Sequence, residues 1–242
     1  MQAAAQQPDA LQIMDKSREL SITASMSASI DLSITEKSGA TRNRKISITT
    51  KGFRDGVEKR MIRFVEPADV RGTSMLVIDN KNTADEMWIY LPDLKRTRRI
   101  VSSEKGRSFM SSEFSNADMS SPTLSDFRHR HLEESGTNNR WIIESIPADE
   151  DTADEYGYSR KISYISSDNN QVEKMEFYNF DNELFKVIEI KSTFSLDDGK
   201  YLIKNMVANN LINNRRSEIL FGSIKVGVDI DDSFFTTRNL EM

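Results

Sequence analysis

Residues 20–35 alternate strictly. Ile22, Ala24, Met26, Ala28, Ile30, Leu32 and Ile34 are apolar, and Ser21, Thr23, Ser25, Ser27, Ser29, Asp31 and Ser33 fill the gaps. A period of two is that of a β-strand with one face turned to a core. At about 3.3 Å per residue such a strand reaches about 50 Å, well beyond the usual length of about 17–20 Å, so it must curve. The small alanines on its apolar face ease that bend, as in a barrel wall or a strongly coiled sheet. Similar runs cover residues 44–50, 57–65, 73–79, 86–91, 97–101, 141–146, 160–166, 172–180, 184–194, 201–210 and 218–228, which makes twelve strand candidates. Most are joined by short turns with Gly, Asn or Asp, such as Ser38-Gly39, Asp55-Gly56, Asp168-Asn169-Asn170 and Asp197-Asp198-Gly199. Short turns argue for an antiparallel meander, and the lack of strand–helix alternation argues against a doubly wound nucleotide-binding sheet.

Two segments depart from the rhythm. Residues 8–18 read as a short helix, part of an N-terminal extension over residues 1–18. Residues 104–139 lose the alternation, and within them TLSDFRHRHLEE, residues 123–134, reads as a helix capped by Thr123 and Asp126. A long insertion in a hairpin-connected sheet is a helical lid or plug, or else a plain surface excursion. The acidic stretch 148–155 reads as a solvated turn, so the whole chain, residues 1–242, is expected to form one domain. The first residues are Ala- and Gln-rich without a basic and apolar leader, and Gln2-Ala3-Ala4-Ala5 looks like the small-residue zone around a signal cleavage site.

Composition removes several classes. The longest unbroken apolar run, residues 87–91, is five residues, against the roughly 20 that a membrane-spanning helix needs. With no cysteine, there is no disulfide framework, thiolate nucleophile or Cys-ligated metal. A net charge of −5 argues against a general nucleic-acid binder, although residues 36–107 carry +7. The densest cationic cluster is Arg96, Arg98 and Arg99, with Lys95, Lys105 and Arg107 nearby. It fits either an acidic partner surface or ordinary edge protection of a strand. His129 and His131 are the only imidazoles and, on a helix, would point about 200° apart, so they could not share a metal there. No HExxH, GxSxG, GxGxxG or P-loop spacing occurs, and neither catalytic activity nor a cofactor is expected. The eleven methionines suit either a plain core or a lining that adapts to ligands of varied shape. A sheet of eleven or twelve long strands curved into a half-open barrel encloses more room than its own side chains fill, so a helix or a ligand has to occupy it.

Residues 72–119 carry a family pattern: GTSMLVI, then EMWIYLPDLKRTRRI, then GRSFMSSEFSNADM. It resembles the outer-membrane lipoprotein-sorting protein family, whose fold is like that of the LolA and LolB carriers. Gly72, Thr73, Trp88, Tyr90, Leu91, Pro92, Arg98, Arg99, Ile100, Phe109, Met110, Ser112, Phe114, Ser115 and Asp118 fit, while Ser111, Glu113, Asn116 and Ala117 depart from it. The resemblance implies a mainly β fold, an unclosed antiparallel β-barrel of about 11–12 strands covered by a few short helices over an apolar cavity. It also implies an exported, periplasmic protein acting beside a transporter of the resistance-nodulation-division class.

The expectation is therefore a non-enzymatic carrier of a lipid or of lipoprotein acyl chains. Burial stabilises an acyl chain by about 0.8 kcal/mol per CH₂, so an apolar lining alone can hold one. The expected lining is Ile22, Met26, Ile30, Met61, Met75, Trp88, Tyr90, Phe109, Met110, Phe114 and Met119, gated by residues 108–134. Arg96, Arg98 and Arg99 are the expected partner contacts. The alternatives are an accessory protein that docks on a transporter and carries nothing, and a carboxylate-based hydrolase.

Overall fold

In the computed structural model the described residues are 8–53, 56–80, 83–121, 123–132, 135, 137–196 and 199–242. The Gln2–Ala5 stretch, and the tips of the 55–56 and 197–199 turns, lie wholly or partly outside them. Thirteen strands form a single antiparallel sheet that does not close into a barrel. In chain order they are β1 (Ser25–Thr35), β2 (Thr41–Gly52), β3 (Glu58–Glu66), β4 (Ser74–Asp79), β5 (Glu86–Leu91), β6 (Arg96–Ile100) and β7 (Phe127–His131). After these come β8 (Arg140–Pro147), β9 (Arg160–Ser166), β10 (Val172–Tyr178), β11 (Leu184–Ser195), β12 (Tyr201–Asn210) and β13 (Arg215–Val226).

Their spatial order is β6-β5-β4-β3-β2-β1-β13-β12-β11-β10-β9-β8-β7. The chain starts at the centre, meanders outward to the β6 edge, and resumes at the opposite edge, β7. It then meanders back until β13 pairs with β1. The central strand behaves as its alternation requires. Ala28, Ile30, Leu32 and Ile34 are buried, while Ser27, Ser29, Asp31 and Ser33 are more exposed. A register shift between Ser27 and Ser29 against β13 marks a bulge, which bends a long strand locally.

The two edge strands are joined by residues 101–126. This segment contains four short 3-10 turns, and it crosses the inner face of the sheet. Phe109, Phe114 and Ala117 from it are buried in one cluster with Leu32, Ile48, Ile62 and Met75 from one half of the sheet and Phe177, Ile188 and Ala208 from the other. Helix α1 (Ala10–Ser21) lies on the same face. Asp9 caps it by accepting from the Leu11 N–H at 3.1 Å, and its buried residues Ala10, Ile13, Met14 and Ser17 follow the helical period. They pack with Ile143 and Ile165. Helix α2 (Glu150–Tyr156) ends on Gly157 at φ +75°, and Gly106 of the crossing segment lies so close that a Cβ there would sit 2.9 Å from the Gly157 nitrogen. On the outer face the C-terminal residues cover β3–β5, with Phe235 and Leu240 on Met61 and Leu76.

Several expectations change. Among the described residues there are thirteen strands rather than eleven or twelve, because residues 123–132 are not a helix. A 3-10 turn at Leu124–Asp126 leads into β7, which pairs with β8 from Phe127↔Pro147 to His131↔Ile143. Residues 148–155, expected to be a turn, supply most of α2. The covering of the hollow is thus the short helices α1 and α2, the latter placing Tyr156 in the inner cluster, together with 3-10 turns. No helix among the described residues is long and apolar enough to cross a membrane.

Leu32 is fully buried at the centre of the sheet. Leu32→Ala should lower unfolding stability by about 3 kcal/mol through lost burial and an unfilled cavity, read as a reduced urea midpoint with an unchanged slope.

Candidate functional site

Between the sheet and its cover lie two adjoining cavities. The first, about 240 Å³, is walled by Met26, Ile30, Ile46, Ile48, Ile62 and Ile219 from the sheet, with Phe109 and Met119 from the crossing segment. The second, about 180 Å³, lies under α1 and is walled by Met14, Leu124, Val172, Met175, Ile190 and Tyr201. Both are lined by Ser21, Ser120, Ser121 and Ile203, so residues 120–121 run along their common border.

The crossing segment is tied to the sheet by polar side chains that reach in from six strands. Arg44 of β2 donates to the Met110 carbonyl. Arg60 of β3 donates to the Met119 carbonyl at 2.8 Å and the Ser121 hydroxyl at 3.3 Å, and Asp79 of β4 accepts from the Ser121 N–H at 3.2 Å. Lys186 of β11 pairs with Asp118 at 2.8 Å, and Asn210 of β12 donates to Glu113 at 2.8 Å. From β13, Ser217 accepts from the Glu113 N–H at 2.9 Å and Arg215 holds both Glu113, at 2.9 Å, and the Ser111 carbonyl, at 2.8 Å. Each is a charged or polar group placed on the apolar side of a strand, where burial without partners would be costly. The partners are supplied by the segment or by neighbouring strands.

Arg60 sits between Glu58, at 2.6 Å, and Asp79, at 2.8 Å. Burial works against its charge, but the two carboxylates outweigh it and hold its pKa above the ordinary value. Burial pushes Asp79 up to about 7, with Arg60 pulling the other way. Glu58 and Asp118 both line the first cavity, so it is less purely greasy than the strand pattern implies, and both carboxylates are spent as counter-ions.

Of the expected lining residues, Met26, Ile30, Phe109 and Met119 border the first cavity. Met75 and Met110 border a more polar recess of about 290 Å³ beside β6, together with Arg98 and Glu104. Phe114 is wholly buried in the core. Ile22 lies just past the end of α1. Met61, Trp88 and Tyr90 are corrected: they face the opposite side of the sheet, under Phe235 and Leu240. Strands β4 and β5 are apolar on both faces, so alternation alone could not say which face is inner.

Arg98 bonds Glu104 at 2.6 Å, while Arg96 and Arg99 are exposed on the edge strand β6. His129 and His131 share one face of β7 instead of diverging on a helix. His129 donates through Nε2 to the Leu124 carbonyl at 3.0 Å and takes the Ser145 hydroxyl on Nδ1 at 2.8 Å, and burial lowers its pKa. Among the described residues no group of three or more His, Cys, Asp or Glu is arranged to hold a metal.

With this geometry in view, likenesses to solved structures identify the fold. A domain from Vibrio parahaemolyticus described as a putative outer membrane lipoprotein-sorting protein aligns with TM-score 0.87 at 23% identity, over 96% of this chain and 98% of that one. A DUF1329 family protein from Desulfovibrio piger aligns with TM-score 0.85 at 24% identity, over 96% and 97%. A LolA superfamily protein from Nitrosomonas europaea aligns with TM-score 0.72 at 17% identity, over 95% and 98%. The protein therefore has a LolA-like fold. A family model described only as "Uncharacterized protein"-like matches residues 56–242, most of the chain, and the chain belongs to that family. No curated protein matches.

Lys161, on β9, is buried, and burial pulls its pKa down to about 8, with Asp118 opposing and Lys186 reinforcing the shift. An unfolded lysine stays protonated to about 10.4, so between about pH 8 and that value the unfolded chain binds more protons and stability rises with pH. At pH 7 the buried charge is a cost. Lys161→Met should therefore raise stability at pH 7 by about 2 kcal/mol, and the gain should shrink as pH climbs past 8. Urea midpoints of both proteins at pH 7 and 9.5 check this.

Proposed function

We propose that the protein is a carrier that takes an acyl chain into the hollow between its sheet and the crossing segment. The observation that carries this reading is the pair of adjoining cavities bordered by residues 120–121, in a segment fastened mostly by polar side chains. An empty cavity of about 150 Å³ already admits benzene, so these two accept a short chain as they stand. A chain of about 16 carbons needs more room, and the segment is what can yield it. In this reading residues 101–126 act as a displaceable plug within a single domain. The lining is Met26, Ile30, Phe109 and Met119 together with the isoleucines of β2 and β3.

The likeness to a Vibrio domain described as lipoprotein-sorting supports lipid or lipoprotein acyl chains as cargo. That setting is periplasmic, and the chain would be exchanged with a membrane partner such as a resistance-nodulation-division transporter. The exposed Arg96 and Arg99 on the β6 edge offer a cationic face for that partner. The same face would serve an accessory protein that docks and carries nothing.

Met206 borders the first cavity from β12. Met206→Trp should fill it, weakening binding of a fluorescent fatty acid at least tenfold while the melting temperature stays within a few degrees, since modest overpacking costs about 1–3 kcal/mol. Native mass spectrometry of wild-type protein should show a bound amphiphile that the variant lacks. Finding neither bound lipid nor fatty-acid binding in the wild type would leave only the docking reading.

A further inference from the structure

The buried charges of the inner face fall into two groups. Arg44, Glu58, Arg60, Asp79, Lys105, Glu113, Asp118, Lys186 and Arg215 all bond the crossing segment, belong to it or pair with one another. Lys161 does not. It is 7% exposed, lines the second cavity, and has no hydrogen bond or ion pair to any described residue. Its Nζ lies 5.7 Å from the centre of the Phe127 ring. Asp118 acts on it through its charge without an ion pair; the Oδ2 of that carboxylate accepts from Lys186, at 2.8 Å, and from the Ser115 N–H, at 2.7 Å.

Arg18, on α1, lines the same cavity from the other wall, and its Nε is buried without a hydrogen-bond partner. Asp85 lies on the Arg18 side but forms no ion pair with it, its carboxylate being engaged by the Asn80 N–H at 2.9 Å. Ser120, Ser121 and Ser163 complete a polar rim, while Met14, Val172, Met175 and Ile190 are apolar. A cavity lined by two cationic donors that form no ion pair with described residues, and by no carboxylate, has room for an anionic group.

We propose that the second cavity is a head-group site for a single anionic group, a carboxylate or phosphate, carried on an apolar tail that lies in the first cavity, with Lys161 as the counter-ion and Arg18 as a second donor. This deepens the carrier reading and rests on it. The site selects anionic amphiphiles over neutral ones with the same tail. Charge-assisted bonds from a desolvated lysine are short and strong, and an alcohol or ester cannot complete the pair. The adjoining cavity supplies the tail's place, so a free anion lacks most of the binding energy.

Decanoate, decyl phosphate, decanol and inorganic phosphate serve as probes, with binding read by calorimetry on the wild type, Lys161→Met, Lys161→Arg and Arg18→Met. The proposal expects decanoate and decyl phosphate to bind the wild type at least tenfold more tightly than decanol. That ratio should fall to near one in Lys161→Met, be largely kept in Lys161→Arg and be reduced in Arg18→Met. Decanol should still bind Lys161→Met, losing far less affinity than decanoate, which shows that the hollow is intact. Inorganic phosphate should bind weakly. If all ten-carbon probes bind the wild type and Lys161→Met with equal ratios, the head-group site is wrong while the carrier reading stands. Should no ten-carbon probe bind the wild type, the carrier reading itself fails, and tight binding of phosphate alone would overturn the amphiphile in favour of a free anion.

Discussion

The connection between the two edge strands governs this molecule. A thirteen-stranded sheet whose chain begins and ends pairing at its centre has sequence-adjacent strands, β6 and β7, at its two far edges. The 26 residues between them must cross the inner face. That face is apolar and has to be covered, so the same segment that completes the chain path also supplies Phe109, Phe114 and Ala117 to the core. The hollow is therefore occupied by the protein's own chain, and what is left over is about 240 Å³ and 180 Å³ rather than an open basin.

The way this segment is held differs from the way the strands are held. Strands are locked by continuous ladders, whereas the plug leans on a set of buried polar contacts from Arg44, Arg60, Asp79, Lys186, Asn210, Arg215 and Ser217. Buried ion pairs contribute little net stability compared with apolar packing, but losing one partner is costly. Such contacts fix position more than they add stability, as the proposed displaceable plug would require. Lys161 stands outside this set: it forms no ion pair with any described residue, and no carboxylate lines the cavity it borders.

Much of the architecture was legible. The alternation of residues 20–35 identified the central strand but overran it, since residues 20–21 end α1 and β1 begins at Ser25, and the turn chemistry identified the meander. Strand β7 was hidden because TLSDFRHRHLEE carries helix-forming and capping residues, and its state is decided by pairing with β8, a contact that local propensity does not contain. The placement of Trp88 and Tyr90 failed for another reason: where both faces of a strand are apolar, parity does not reveal which is inner; Met61 lies on the face of β3 shared with Lys59, Arg63 and Val65, opposite Ile62 and Phe64. The anchors were missed, although a signal for them exists. Arg44 shares parity with Ile46 and Ile48, Lys186 with Ile188 and Ile190, and Lys161 with Ser163 and Ile165. A lone charge on the apolar side of a strand marks a partner arriving from elsewhere in the chain, or from outside it.

The account stands or falls on whether plug and cargo compete for the same space. Hydrogen exchange at the amides of Phe109, Ser112 and Ala117, whose N–H groups are bonded within the plug, reports this directly when a saturated chain of about 16 carbons is added. Displacement predicts faster exchange at these amides with the strand amides of β1 and β13 unchanged. Full binding of the chain with plug exchange unaltered or slowed would contradict it.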